Sequence, residues 1–250
     1  MRLCDADGMH RRGLILSLLG TSLPAATGHA APQGAAARRL EFPADFGAHP
    51  ESRTEWWYAT GTLEAGPRLW GFQVTFFRAA TGIKAGQPSR FAASQLVFAH
   101  AALTDFQQKR LRHDERIARS GFGVAAAVGE TRIELRDWTL RRDGAVDASR
   151  YVARLPPSRA GFGFELGLVA TQALLLQGLD GVSQKGPQPG QSSRYYSEPQ
   201  LAVDGTLLLD GREVAVRGRA WLDHEWSDSF LDPEAVGWDW IGMNLTDGSA

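Results

Sequence analysis

The chain has 250 residues, of which 43% are hydrophobic and 22% charged, proportions that exclude wholesale disorder and fit a folded protein of one large or two small domains. A formal net charge of −1 gives no electrostatic footprint for nucleic acid or for an anionic membrane. The 28 glycines and 8 tryptophans suit a sheet protein with tight turns and an aromatic interior.

At the N-terminus, Arg11-Arg12 precedes the apolar run Leu14-Ile15-Leu16-Ser17-Leu18-Leu19, and small residues lead to Gly28-His29-Ala30. Basic, apolar, small is the order of an export signal, and the run is too short to span a bilayer. Residues 1–30 are therefore expected to be a signal peptide, read by the general-secretion or the twin-arginine route, and residues 31–40 a flexible lead-in. A periplasmic or secreted location follows. Cys4, the single cysteine, would be lost on cleavage, leaving a mature chain with no disulfide and no thiol chemistry.

From Glu41 onward the dominant signal is alternation with period two. Glu55 to Leu63 and the strand carrying Trp70, Phe72, Val74 and Phe76 form a hairpin through Ala65-Gly66-Pro67. Ser94 to Leu103 reads as a strand with Leu96, Phe98 and His100 on one face. Residues 104–120 read as a long charged hairpin, because Phe106, Leu111 and Ile117 make no helical stripe. Ile133 with Leu135, and Phe162 with Phe164, Leu166 and Leu168, mark further strands. Gly178 to Ser193 reads as a loop. Val203-Asp204-Gly205-Thr206 and Asp210-Gly211 read as turns flanking Leu207-Leu208-Leu209. Gly237 to Leu245 reads as a strand followed by a turn at Thr246-Asp247-Gly248-Ser249 whose returning strand is absent. Many short strands with little helix mean an all-β sandwich or a barrel.

Three clusters of aromatic and acidic residues could carry chemistry: His49 to Tyr58; Arg194-Tyr195-Tyr196-Ser197; and Trp221 to Ser227, followed by Trp238-Asp239-Trp240. Strand period puts Trp221, Asp223 and Glu225 on one face and Leu222, His224 and Trp226 on the other. An acid among large aromatics would have a raised pKa and could donate a proton, and Asp223 is the best placed. Acids beside Trp and Arg in barrels also serve as structural hydrogen-bond acceptors, and Glu55 could pair in that way with Arg53, Arg194 or Arg219. No metal is expected, since neighbouring Asp223, His224 and Glu225 on a strand cannot converge on one ion. No Gly-x-Ser-x-Gly elbow, phosphate loop or dinucleotide fingerprint is present, and no cofactor is expected.

At these clusters the chain resembles the lipocalin-like family that includes the bacterial carotenoid 1,2-hydratases (hydroxyneurosporene synthases) and the AttH-type secreted hydrolases. The resemblance runs through His49–Gly61, Gln177-Gly178, Ser183–Gly186, Arg194–Ser197, Gly218–Ser227 and Gly237–Leu245. It implies two calycin-like antiparallel barrels, with residues 41–232 forming the first and residues 233–250 opening a truncated second. It also implies that Asp223 is the acid that protonates a carbon–carbon double bond. Trp57, Tyr58, Arg194, Tyr196, Trp221, Glu225, Glu55 and His49 would line the substrate. The hydratases carry Tyr where Trp221 stands, and His and Trp about where Arg194 and Tyr196 stand, which places the chain closer to the AttH branch. Two functions follow as expectations. One is an enzyme acting on a hydrophobic terpenoid or lipid-like molecule by acid-catalysed hydration or hydrolysis. The other is a periplasmic carrier or chaperone of a lipophilic molecule, working beside an export or ABC-transporter system.

Overall fold

Alternation of buried and exposed residues sets the architecture. In the strand Phe162–Val169, Phe162, Phe164, Leu166 and Leu168 are all buried, as a period-two pattern with one face on a core demands. The structure, a computed structural model, describes residues 38–83, 89, 91–157, 159–188, 190–229 and 231–245. The expected signal peptide and most of the expected lead-in lie outside them.

The described residues form thirteen strands and one 3-10 helix, Ala44–Phe46. In chain order the strands are β1 (Thr54–Ala65), β2 (Arg68–Ala80), β3 (Gln95–Asp105), β4 (Arg110–Arg119), β5 (Val124–Ala126), β6 (Arg132–Leu135), β7 (Trp138–Asp143), β8 (Arg150–Leu155), β9 (Phe162–Val169), β10 (Leu175–Leu176), β11 (Val182–Gln184), β12 (Ser192–Leu209) and β13 (Arg212–Ser227). They pair antiparallel in the order β4-β3-β2-β1-β13-β12-β9-β8-β7-β6-β5, with β10 and β11 paired to the first half of β12. The sheet curls into a nearly closed, lipocalin-like barrel. Its two ends meet through side chains. Arg116 of β4 pairs with Asp137 and lies 4.6 Å over the Trp138 ring. Arg112, also of β4, reaches instead to the β12–β13 turn and the start of β9, where it holds both oxygens of Asp210 and the Gly161 carbonyl.

The expected hairpins at 65–67 and 104–120 are present. Gly66 and the pair Asp210-Gly211 adopt positive φ, the conformation two-residue hairpin turns require. Three expectations need correction. Val203-Asp204-Gly205-Thr206 is no turn but the middle of the long strand β12. Gly205 is there because β9 passes close by: a Cβ at Gly205 would sit 2.1 Å from the Glu165 carbonyl oxygen. The loop expected at 178–193 contains the short strand β11. Gly237 to Leu245 forms no strand and runs as irregular backbone. The segment has strand-like composition, but a strand persists only where a ladder of partners satisfies its backbone, and none of the described residues supplies one.

Large side chains from the described strands pack into the barrel interior. Trp57, Trp70, Phe72, Phe76 and Phe164 are each at most 2% exposed and pack in one cluster. The aromatic interior that the composition suggests is present, with Trp57, Trp70 and Trp138 each at most 1% exposed. One end of the barrel is plugged by the segment before β1. Phe42 and Phe46 pack edge-on against Tyr196, the Phe46 carbonyl accepts Thr131 (2.7 Å), and Arg142 lies over the Phe46 ring.

Candidate active site

The two faces of β13 carry two different sites. His224 is paired in register with Trp57 of β1 and Tyr196 of β12, while Asp223 is paired with Tyr58 and Ser197. Side chains directly opposite share a face. The residues expected at one site therefore divide. Glu55, His49, Trp57 and Tyr196 gather around His224 inside the barrel. Tyr58, Trp221 and Glu225 lie with Asp223 on the outer face. Arg194 stands at the rim of the plugged end.

The inner group is a hydrogen-bonded hub centred on Glu55, which has no solvent exposure. Glu55 Oε1 meets His49 Nδ1 at 2.7 Å and His224 Nε2 at 2.9 Å. Glu55 Oε2 accepts Arg78 Nε at 2.7 Å and the His49 backbone N–H at 3.0 Å. Arg78, rather than Arg53, Arg194 or Arg219, is the partner, and its remaining donors hold the carbonyls of His49 and Ser52. Burial alone would push the Glu55 carboxyl up. The hydrogen bonds from His224 and His49, with the Arg78 ion pair, hold it down at about 2. Burial also works against a charge on His49, but both of its ring nitrogens face carboxylates, Asp45 and Glu55, and its pKa is raised. His224 goes the other way because burial dominates. Its Nε2 lies 2.9 Å from the Glu55 carboxylate, to which it donates, and its Nδ1 lies 3.1 Å from the Tyr196 hydroxyl. Trp57 stacks on His224, and Trp226 stacks on His49 at 3.7 Å.

His49, Glu55 and His224 offer one ligand atom each within 4.8 Å of one another, a convergence invisible in the sequence because three separate segments supply it. The donor set nevertheless does not fit a metal ion. A cation there would displace two short hydrogen bonds, and the Arg78 guanidinium already supplies the positive charge.

The outer group is built differently. Asp223 is 2% exposed, and no cation pairs with it among the described residues. Ser197 Oγ donates to its Oδ1 at 2.5 Å and Trp221 Nε1 donates to the same oxygen at 2.7 Å. Gln177 Nε2 in turn donates to Ser197 Oγ (2.9 Å). Burial pushes the Asp223 carboxyl up, and the hydrogen bonds from Ser197, Trp221, Tyr195 and Trp240 offset this only in part. Ser197 and Trp221 share Oδ1, so Oδ2 is the more open oxygen for a proton, with Tyr195 and Trp240 nearby. Aromatic rings surround it. Trp240 packs edge-on against Tyr58 and Trp221, and its indole N–H donates to the Tyr195 hydroxyl. Glu225, two residues on, is held by Lys185 (2.8 Å) and by the Ser193 hydroxyl. Burial raises its pKa as well.

A neutral carboxyl walled by indole and phenol rings can give up a proton and stabilise a cation that forms nearby. The expected Asp223–Trp221 contact is present. Trp57 and Tyr196, also expected beside Asp223, are on the far side of the barrel wall. Arg78 lies outside the expected clusters, and Ser197, named in one of them, carried no assigned role. Tyr195 and Trp240 were visible in the aromatic clusters, but only the β12–β13 register shows that Tyr195 faces the acid.

Fold and site together define an antiparallel barrel protein with a buried, uncompensated acid on its outer wall. A family model, "AttH-like", matches residues 33–250, and the chain belongs to that family. The crystal structure of a candidate AttH from Nitrosomonas europaea is 45% identical and superposes with a TM-score of 0.76, over 85% of this chain and 63% of that one. The chain thus spans 63% of that protein's length. The crystal structure of kievitone hydratase from Nectria haematococca matches with a TM-score of 0.56 over 79% of this chain and 55% of that one; at 11% identity it shares the fold. No curated protein sequence matches the chain.

Proposed function

We propose that this chain belongs to an exported enzyme that acts on a hydrophobic, terpenoid or lipid-like molecule, with Asp223 as general acid. One observation carries the reading: Asp223 is buried among aromatic side chains with hydrogen-bond donors but no cation, so its carboxyl is held towards the protonated form. In a hydration, Asp223 Oδ2 gives its proton to one alkene carbon. The cation left on the other carbon is stabilised by the faces of Trp221, Trp240 and Tyr195. Water adds there and loses a proton, which restores the carboxyl. The same acid could protonate a leaving group in a hydrolysis. Export is supported by the basic, apolar, small order of residues 11–30.

A second reading, a carrier of lipophilic molecules without chemistry, is favoured by the two donors already satisfying Asp223 Oδ1. Asp223→Asn separates the two. The amide keeps the acceptor oxygen but has no acidic proton. Under the enzyme reading turnover of copurified lipophilic molecules falls by about 10²–10⁴-fold while their binding persists. Unchanged turnover would remove Asp223 from catalysis.

A further inference from the structure

A polar cleft of about 270 Å³ opens at the plugged end of the barrel, on the far side of Trp226 from the Glu55 hub. Its walls include Arg38, Ser52, Ser192, Arg194 and Trp226, with Glu51 and Asp228 also lining it. The donors and acceptors in this cleft are unequally committed. Arg38 is taken up by Asp45, at 2.5 Å. Asp228 accepts the Arg53 backbone N–H, and Glu51 is exposed to solvent.

Arg194 is different. Among the described residues only its Nε is engaged, by the Arg38 carbonyl at 3.2 Å. No carboxylate lies within ion-pair distance of it among the described residues, and both terminal nitrogens are left over. It is half-buried rather than free in water. Burial and the neighbouring Arg38 charge work against its own charge, more than the Asp45 carboxylate works for it, and a bound anion would offset the difference. Ser52 and Ser192 also line the cleft, and neither hydroxyl donates in any hydrogen bond seen among the described residues. A guanidinium fork with two serines lining the same cleft offers the donors that recognise an oxyanion.

We propose that this cleft binds the oxyanion group of a ligand, a carboxylate or a phosphate, through Arg194 with Ser52 and Ser192. The site stands apart from Asp223: Arg194 and Ser192 face the cleft, whereas Ser197 and Tyr195 face the acid. It therefore does not depend on the reaction proposed above.

Calorimetric titration of the full-length protein with inorganic phosphate, acetate and decanoate tests the proposal. Saturable binding of at least one of the three is expected, weakened about tenfold or more in Arg194→Gln. In Arg194→Lys, which keeps the charge and loses the fork, the loss is intermediate. Decanoate binding more tightly than acetate would identify the oxyanion as the head of an amphiphile; phosphate binding most tightly would identify a free or phosphorylated ligand. Asp223→Asn should bind as the unaltered protein does, which separates this site from the catalytic reading. Circular dichroism establishes that each variant is folded. The proposal is overturned if none of the three binds more tightly than about 10 mM, or if folded Arg194→Gln and Arg194→Lys both bind like the unaltered protein.

Discussion

Glu55 and Asp223 belong to hydrogen-bonded neighbouring strands of one barrel wall, and neither is more than 2% exposed. Burial penalises the charge on both carboxyls, yet one is held ionised and the other towards neutrality. The difference lies in what each strand face supplies. The inner face brings Arg78 from β2 and two imidazoles to Glu55. The outer face brings only uncharged donors to Asp223: a hydroxyl, an indole and a phenol. Equal burial with unequal partners gives a structural lock on one side and a proton donor on the other.

The largest effect should come from breaking the lock. Glu55→Gln leaves the Arg78 guanidinium buried without its counter-charge and should cost about 3–5 kcal/mol in urea unfolding. A loss below about 1 kcal/mol would mean that the hub does not hold the fold. The same lock sets an acid limit. Glu55 and Asp45 are both held at about 2, against about 4 in an unfolded chain. Their contribution is present above the unfolded value and is lost as the pH falls towards 2. Glu55→Gln should flatten that part of the stability profile.

Asp223 has the opposite sign. Its folded pKa is raised, so the stability it contributes is present below its unfolded pKa of about 4 and lost as the pH rises through the folded value. Asp223→Asn should therefore gain stability relative to the unaltered protein as the pH rises towards neutrality, the reverse of Glu55→Gln. Urea midpoints between about pH 4 and 8 measure it, and parallel profiles for the two proteins would contradict the assignment.

A smaller effect is expected from Trp240→Ala. Trp240 helps to wall off the acid, and burial is the largest influence on Asp223. Admitting water should lower the Asp223 pKa in a carboxyl carbon NMR titration, with Asp223→Asn identifying the resonance. An unchanged pKa would show that Trp240 does not shield it.

Much of this contrast was legible beforehand. Period two placed Asp223 and His224 on opposite faces of β13, as observed. The strands and the hairpins at 65–67 and 104–120 could be read because alternation and turn residues are local signals. What connects strands could not be read. Arg78 stands directly opposite Glu55, and Ser197 opposite Asp223, but register is fixed by the packing of the whole sheet. A shift of one residue exchanges Tyr195 for Tyr196: the resemblance implied Tyr196 at the substrate, whereas it lies inside against His224. The irregular course of residues 237–245 was hidden for a related reason: composition reports what a segment could pair with, not whether a partner is there.

The seam between β4 and the β5–β7 end of the sheet has a consequence of its own. Elsewhere neighbouring strands are riveted by backbone hydrogen bonds, which dissolved ions barely touch. Across the seam Arg116 of β4 pairs with Asp137 of the β6–β7 turn, and a partly exposed ion pair of this kind weakens as ionic strength rises. The barrel thus has a slit whose looseness is set by the salt around it, and the amides of β4 and β5 should exchange with solvent faster in high salt while those of β1 and β13 do not.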